Sequence, residues 1–112
     1  MARLATVKFS GNSGGRYEFD VYEYPFSGGK DYSCVYFVTH RHRDNQGKFT
    51  HDHIYVGETE DLEQRHSNHH RKLCFSRNNA NAICLLRENS GEKRRSIEKD
   101  LRLKYDPLCN RE

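Results

Sequence analysis

The sequence contains no tryptophan, only two prolines and one methionine, and hydrophobic residues make up just 34% of its 112 residues. No apolar run approaches the ~18 residues of a membrane span, so the sequence predicts no membrane partner. Residues 1–12 also lack the apolar middle region of a secretory signal. These absences predict a cytoplasmic protein built as a single small domain, with a compact core and a very polar surface.

Cysteine is sparse, and the four residues present stand far apart, at Cys34, Cys74, Cys84 and Cys109. No two of them form the C-x-x-C pair expected of a zinc knuckle. Their density is also lower than that of a small secreted disulfide scaffold. We therefore expect all four thiols to be reduced.

The excess of positive charge is small, since 19 lysines and arginines stand against 16 acidic residues, for a net charge of +3. The basic residues cluster at 41–48, 71–77 and 93–104, whereas acidic residues concentrate at 58–63. Such basic clusters are either ordinary solvated faces or contacts to a phosphate backbone. Composition alone does not choose between these two readings.

The order of predicted elements is hairpin, hairpin, helix, strand, helix. A β-hairpin turns at GNSGG within residues 1–32, and strands at 33–38 and 53–57 flank a second reversal at DNQG. A helix begins at Thr59, a strand with an apolar run in mid-sheet covers 80–86, and a last helix covers about 91–104. We expect an α+β domain with a small central antiparallel or mixed sheet flanked by helices. In this domain, residues 1–32 are an N-terminal hairpin extension packed on residues 33–112.

The register of the second hairpin decides which side chains share a face. A reversal centred on residues 45–46 places Tyr36 directly opposite Tyr55. One face then carries Val35, Phe37, Ile54 and Val56 toward the core, and the other carries Tyr36, Tyr55, Val38 and His53. A bulge at Gly47 would shift this pairing by one residue.

The helix after Thr59 carries one stripe at helical spacing, made of Leu62, Arg65, His66, His69 and Leu73. Arg65 and His69 are four residues apart and are expected on one helix face. In the last helix Ile97 and Leu101 form the core stripe. Glu98 lies four residues from both Arg94 and Arg102, so a surface ion pair is its ordinary interpretation.

Five short sequence motifs follow one another along the chain. Cys34-Val35-Tyr36 and Tyr55-Val56-Gly57 form two triads, Arg65 follows the second tyrosine by ten positions, Glu98 sits in R-x-x-I-E-x-x-L, and Asn110 closes a Y-x-P segment. The combination resembles the GIY-YIG nuclease family over about two-thirds of the chain. The chain departs from the family pattern in having Cys34 for the first glycine, a long insertion at 39–52, and an acid at Glu58.

The resemblance implies a metal-dependent endonuclease that hydrolyses DNA phosphodiester bonds. Glu98 would hold one Mg²⁺ or Mn²⁺ ion, since hard cations prefer oxygen ligands. Arg65 would contact the phosphate, and Tyr36 and Tyr55 would order the water and the scissile group. His69 would accept the proton of the water or relay it from Tyr36. A further set is expected to contact DNA or to be structural: Arg71, Lys72 and Asn110.

Three alternatives stay open on the sequence alone. The first is that the chain is a catalytically weak or inactive nucleic-acid-binding module of the same fold; Tyr36 and Tyr55 taken alone would be ordinary strand tyrosines. The source of specificity is also open: because the chain has no room for an attached recognition domain, specificity is expected to come from its loops, from a protein partner or from the structure of the DNA. Finally, the hairpin histidines either bind a metal together or form a solvated basic surface that touches DNA; these are His40, His42, His51 and His53.

Overall fold

The computed structural model describes residues 2–67 and 69–111, and these form an α+β fold with a curled, five-stranded antiparallel sheet. The strands are β1 (Ala5–Ser10), β2 (Arg16–Glu23), β3 (Cys34–Arg43), β4 (Phe49–Thr59) and β5 (Ala82–Arg87). The helices are α1 (Leu62–Ser67), α2 (Lys72–Arg77) and α3 (Gly91–Tyr105), followed by a 3₁₀ turn at Leu108–Asn110. None of the helices in these residues is long and apolar enough to cross a membrane.

The strand order is β1-β2-β5-β3-β4, which confirms the α+β class and the central position of β5. All neighbouring strands are antiparallel. The N-terminal hairpin is continuous with the sheet, because β2 pairs directly with β5. Its turn is tied to α3 as well, since Asp100 accepts hydrogen bonds from the Ser13 backbone N–H and hydroxyl and from the Tyr17 hydroxyl.

The second hairpin reverses at the predicted DNQG segment, although its strands extend well beyond the predicted ends. Asp44 Oδ1 accepts from the backbone N–H groups of Gln46 and Lys48, at 2.8 and 3.0 Å. Gly47 has φ +78°, a conformation that glycine adopts without steric cost. This three-residue loop with a glycine bulge shifts the hairpin register by one residue relative to a two-residue reversal.

The predicted facing of Tyr36 and Tyr55 is wrong. Tyr36 pairs with Gly57, Tyr55 pairs with Val38, and the ladder is interrupted between Val38 and Thr39, whose partner is His53. Ile54 is therefore an extra, unpaired residue, a β-bulge. Because of this bulge Ile54 joins the Tyr36 face, whereas the predicted face assignment had it on the other side of the sheet.

The helix predicted from Thr59 is also wrong in its start and its length. Thr59 is the last residue of β4, and α1 begins at Leu62, where Asp61 Oδ1 accepts from the Gln64 N–H at 3.2 Å. The helix ends at Ser67, so His69 lies beyond it and does not share a helix face with Arg65. Leu73 lies on α2 and is 78% exposed, so it is not part of a buried stripe.

Two cores cover the two faces of the sheet. Helix α3 packs on one face through Leu101, which is fully buried, and Ile97, as its spacing predicts. Ser90 caps this helix by accepting from the Lys93 N–H at 3.3 Å. The other face holds the buried tyrosines and α2; its fully or nearly buried members include Cys34, Tyr36, Val38, Ile54, Tyr55, Leu62, Phe75 and Ile83.

The prediction of four reduced cysteines is wrong for two of them. Cys74 on α2 and Cys109 in the 3₁₀ turn form a disulfide, whereas Cys34 and Cys84 are buried free thiols. The bonded cysteines are 35 positions apart in sequence, and only the packing of the C-terminal segment against α2 brings them together. Spacing along the chain therefore carried no signal for this pair.

Candidate active site

Tyr36, Tyr55 and His69 form one buried aromatic cluster. The relative exposures of the three residues are 2%, 8% and 5%. The His69 ring stands edge-on to both tyrosine rings, with centroid distances of 5.9 Å to Tyr36 and 4.9 Å to Tyr55. Tyr36 Oη lies 2.8 Å from His69 Nε2, a hydrogen-bond distance. The tyrosines of the two triads and His69 therefore meet at one point.

The backbone after α1 determines which nitrogen of His69 carries the proton. The backbone N–H of Arg71 donates to His69 Nδ1 at 3.1 Å, so Nδ1 is the acceptor nitrogen. Burial, together with the nearby Arg65 charge, lowers the pKa of His69 to about 3, so the ring is neutral at ordinary pH. A neutral ring with Nδ1 accepting has its proton on Nε2. His69 therefore donates to Tyr36 and does not accept its proton.

The Arg65 guanidinium lies beside the same Tyr36 hydroxyl. Burial raises the pKa of Tyr36, and the Tyr55 ring adds to this, whereas the charge and hydrogen bonding of Arg65 act in the opposite direction. Arg65 is on the exposed side of α1, so its guanidinium connects the buried phenol to solvent. The Tyr36 oxygen thus has one neutral donor at hydrogen-bond distance, His69 Nε2, and the positive charge of Arg65 nearby.

Gly57 leaves room for this hydroxyl on the edge strand β4. A Cβ at Gly57 would lie 2.6 Å from Tyr36 Oη and 2.9 Å from Tyr55 Cε2. Any side chain there would displace the Tyr36 ring, because real Cβ atoms do not approach other atoms so closely. Glycine is therefore required at position 57 because the Tyr36 and Tyr55 rings lie so close to its Cα, and not because of its backbone angle.

Glu98 lies half buried on α3 and pairs with Arg102, whose Nε is 3.0 Å from Glu98 Oε1. Burial raises the pKa of Glu98, Arg102 lowers it, and the neighbouring Glu58 raises it further. Arg94, the other expected partner of Glu98, instead binds Glu58, with Nε 2.9 Å from Oε1. Glu58 also acts electrostatically on Arg65. Its carboxylate therefore interacts with a cation on each side of the site: Arg94 on α3 and Arg65 beside the tyrosines.

The donor set for a metal ion is small. Within residues 2–67 and 69–111, no group of three or more His, Cys, Asp or Glu side chains is arranged to hold an ion. A half-buried carboxylate such as Glu98 suits a hard cation that keeps most of its water ligands and binds a substrate phosphate. It does not suit a closed, all-protein metal cage.

Asn110 holds the C-terminal segment against the site. Its Oδ1 accepts from the Val56 N–H and its Nδ2 donates to the Val56 carbonyl oxygen, both at 2.9 Å. The side chain thus continues the β-ladder at the free edge of β4, next to Tyr55 and Gly57. Asn110 therefore has a structural role, which is one of the two roles expected for it from the sequence; the other was contact with DNA.

The two cations after His69 differ in what they do. Arg71 contributes its backbone N–H to His69, and Lys72 begins α2 with its Nζ 3.1 Å from the Ser67 carbonyl oxygen. Together with Arg65 and the half-buried His66 they form a basic edge beside the buried tyrosines.

The hairpin histidines do not form a four-imidazole site. His40 and His42 stack at 5.3 Å on one face, where His42 Nε2 is 3.2 Å from Asp52 Oδ2. His51 and His53 project from the other face, where burial lowers the pKa of each to about 4. The alternating pleat separates the two pairs, because His40 and His51 lie on neighbouring rungs of the ladder.

Sequence reasoning did not assign Arg94 and Glu58 to the site. Arg94 is only 7% exposed, and its Nη1 also donates to the carbonyl oxygens of Glu88 and Asn89 at 3.0 Å. The i, i+4 spacing of Arg94 and Glu98 suggested the wrong partner. The only available signal was the acid at Glu58, which departs from the pattern of the two triads.

Comparison with known proteins found no matching family model, and no significant match among curated proteins or solved structures.

Proposed function

We propose that this chain is a metal-dependent endonuclease of the GIY-YIG type that hydrolyses DNA phosphodiester bonds. The observation that supports this most is the environment of Tyr36, whose hydroxyl lies 2.8 Å from His69 Nε2 and beside the Arg65 guanidinium. A buried strand tyrosine with a purely structural role needs one hydrogen-bond partner. The His69 donor and the nearby Arg65 charge both favour the phenolate form, which accepts a proton, and so oppose the effect of burial, which raises the pKa of Tyr36.

In the proposed reaction a water oxygen attacks phosphorus, and the bond from phosphorus to the leaving oxygen breaks. Tyr36 takes the proton of the water, while Arg65 donates to the phosphate oxygens as their negative charge grows. His69 stays neutral and holds the Tyr36 oxygen in place. Tyr55, packed against Tyr36 at a centroid distance of 6.1 Å, limits the rotation of its ring.

Glu98 is the residue that would bind the single Mg²⁺ or Mn²⁺ ion. The ion would stabilise the charge that develops on the leaving oxygen. Burial raises the pKa of Glu98, so its charged form gains from a nearby cation, which supports this assignment. The basic edge of Arg65, Arg71 and Lys72 supports DNA as the substrate, because Lys and Arg neutralise backbone phosphates.

The first test is a cleavage panel of duplex, single-stranded, flapped and branched DNA with Mg²⁺, Mn²⁺ or EDTA. We expect cleavage with either metal and none in EDTA. Glu98→Gln and Tyr36→Phe should each lower the rate by roughly 100-fold or more, as expected for a metal ligand and a general base. DNA binding without cleavage under every condition would favour a binding module, and cleavage that survives Glu98→Gln would refute the metal assignment.

His69 allows a sharper test of the proposed roles. Glutamine at this position can accept from the Arg71 N–H and still donate to Tyr36, whereas phenylalanine can do neither. We expect His69→Gln to retain most of the cleavage rate and His69→Phe to lose it. If His69 were the base instead, both variants would be inactive to the same extent.

The pH dependence of the cleavage rate also distinguishes Tyr36 from His69 as the general base. Cleavage should increase with pH into the alkaline range, because Tyr36 is active as the phenolate. No inflection near the ordinary histidine pKa should appear, because the pKa of His69 is about 3. A rate that levels off at pH 7 would contradict Tyr36 as the base.

A further inference from the structure

A cavity of about 320 Å³ lies on the Tyr36 face of the sheet, under the loop at residues 24–33. Its walls are the rings of Tyr22, Phe26 and Tyr32 together with the side chain of Leu85. Leu85 is the β5 residue paired with Tyr36, so this wall is one strand spacing, about 4.8 Å, from the Tyr36 backbone. The volume is within the ~300–1,000 Å³ range of ligand pockets.

The loop that covers the cavity is held in a defined shape by α1. The backbone N–H of Leu62 donates to the Tyr32 carbonyl oxygen and that of Glu63 donates to Gly29, both at 3.1 Å. Gly28 and Gly29 both have positive φ, and a Cβ built at Gly28 would meet nothing within 4 Å. The positive φ values of the two glycines therefore shape the loop, and Gly29 also allows its close approach to Leu62.

The aromatic walls present faces that a planar ring can reach. Tyr22 and Phe26 meet edge to face with centroids 5.4 Å apart, and all three aromatic residues are only partly buried. Among the residues that the structure describes, none hydrogen-bonds the hydroxyls of Tyr22 and Tyr32. The cavity thus combines π faces with two free hydroxyls, a combination suited to a polar, planar ligand.

Two cations flank the cavity without an ion-pair partner among the described residues. The Arg87 guanidinium lies 5.3 Å from the centroid of the Tyr32 ring, and Lys30 follows Gly29 in the covering loop. Asp20 is the acid that acts electrostatically on Tyr32, and it forms an exposed ion pair with Arg3 at 3.2 Å. The rim therefore combines two cations with two acids, Asp31 beside Lys30 and Glu63 beside Phe26, next to an aromatic interior.

We propose that this cavity binds one unstacked base of single-stranded DNA, with Arg87 and Lys30 contacting the neighbouring phosphates. Aromatic side chains stack on bases of any sequence, and flanking cations follow the backbone. The inference rests on the proposed function, since it names an unpaired strand as part of the substrate. Arg65 lies on α1, the helix that hydrogen-bonds the covering loop, so a strand bound in the cavity can continue toward a phosphate contacted by Arg65.

The test uses the full chain in EDTA, where no cleavage interferes. A five-nucleotide DNA with a central 2-aminopurine is titrated with protein, and fluorescence quenching reports stacking of that base. The same base in a blunt duplex and free deoxyadenosine monophosphate are the comparison ligands. We expect the single strand to bind at least 10-fold tighter than the mononucleotide, and quenching to be absent in the duplex.

Phe26→Leu and Tyr32→Leu remove an aromatic face from the cavity while keeping apolar bulk. Each should weaken single-strand binding by roughly 10-fold or more, the range expected for a stacked base. Phe49→Leu is the matched control, because Phe49 is a 47% exposed aromatic residue on the distant hairpin. Circular dichroism and thermal unfolding verify that each variant is folded.

The outcomes keep this inference separate from the proposed function. Equal binding by Phe26→Leu, Tyr32→Leu and Phe49→Leu would overturn the cavity assignment even if the protein cleaves DNA. Equal quenching in duplex and single strand would overturn it as well. Tight, aromatic-dependent single-strand binding in a protein that cuts nothing would support the cavity and refute the nuclease.

Discussion

The Cys74–Cys109 disulfide yields the most quantitative prediction. It closes a loop of 35 residues, and the chain-entropy relation for a loop of that length gives a stabilisation of about 3.8 kcal/mol. For a domain of this size the loss of that contribution corresponds to a fall in Tm of about 15 °C. Both figures refer to removal of the bond with the native packing otherwise kept.

The perturbation is the double variant Cys74→Ser, Cys109→Ser, compared with the wild type in the presence and absence of dithiothreitol. Serine is the appropriate replacement because the Asn78 amide lies 3.6 Å from Cys74 Sγ and 3.7 Å from Cys109 Sγ, so a donor is present for a hydroxyl. We expect reduced wild type and the double variant to unfold at about the same temperature. Dithiothreitol should not affect the double variant.

The control variant is Cys34→Ala, Cys84→Ala, which removes the two free buried thiols. It should respond to dithiothreitol as the wild type does. Protein purified without reductant should contain two alkylatable thiols after unfolding, and not four. Four free thiols, or a reduction effect below about 1 kcal/mol against the expected ~3.8, would refute the reasoning.

Amide exchange locates the effect of reduction in the structure. Cys109 precedes Asn110, whose side chain receives the hydrogen bond of the Val56 N–H. Opening the disulfide should therefore accelerate exchange at Val56 more than at the central strand β5. Uniform acceleration along the sheet would indicate global loss of stability without local loosening.

The remaining predictions concern single contacts. Gly57→Ala should destabilise by about 1–3 kcal/mol through overpacking against Tyr36, measured by urea unfolding. Gly91→Ala should cost less, because the closest atom to a Cβ there, at 3.1 Å, belongs to the exposed side chain of Arg95, which can move. The Tyr17 and Ser13 hydrogen bonds lower the pKa of Asp100. The ionised carboxylate therefore stabilises the fold above about pH 4, and this stabilisation is lost as the pH falls through the lowered pKa. Asp100→Asn should be less stable than the wild type at pH 7, and the difference in stability should vanish in acid. Arg94→Met should cost about 2–3 kcal/mol by leaving Glu58 unpaired, and a double variant with Glu58→Gln should recover part of this loss.

The elements that the sequence predicts well are those determined by local pattern. The apolar run of β5 requires burial on both faces, so its central position follows from composition. The last helix has a serine cap and a core stripe, and the structure places its ends within one residue of the predicted ones. The DNQG reversal has its own turn chemistry, in which Asp44 satisfies two backbone N–H groups.

The failures share a different cause, because each depends on residues distant in sequence. Thr59 is a good helix cap by residue type, yet it pairs with Cys34 as a strand residue. Arg94 binds Glu58 because α3 packs against β4, which no spacing within α3 reveals. The disulfide needs the C-terminal segment to return to α2. The tyrosines, Arg65 and His69 nevertheless come together, although His69 arrives there from a loop and not from the predicted helix.

The bulge at Ile54 offsets the one-residue register shift at Gly47 and so keeps the two tyrosines on one face. Near the hairpin tip the register pairs Thr39 with His53. Continued without interruption, that register would pair Phe37 with Tyr55 and direct the Tyr55 ring to the opposite face from Tyr36. The one extra residue restores Tyr55 to the Tyr36 face and places Gly57, the residue without a side chain, opposite Tyr36. The two shifts, one at Gly47 and one at Ile54, therefore cancel in the facing of Tyr55 but together move the residue opposite Tyr36 from Tyr55 to Gly57, and a strictly alternating strand pattern contains neither.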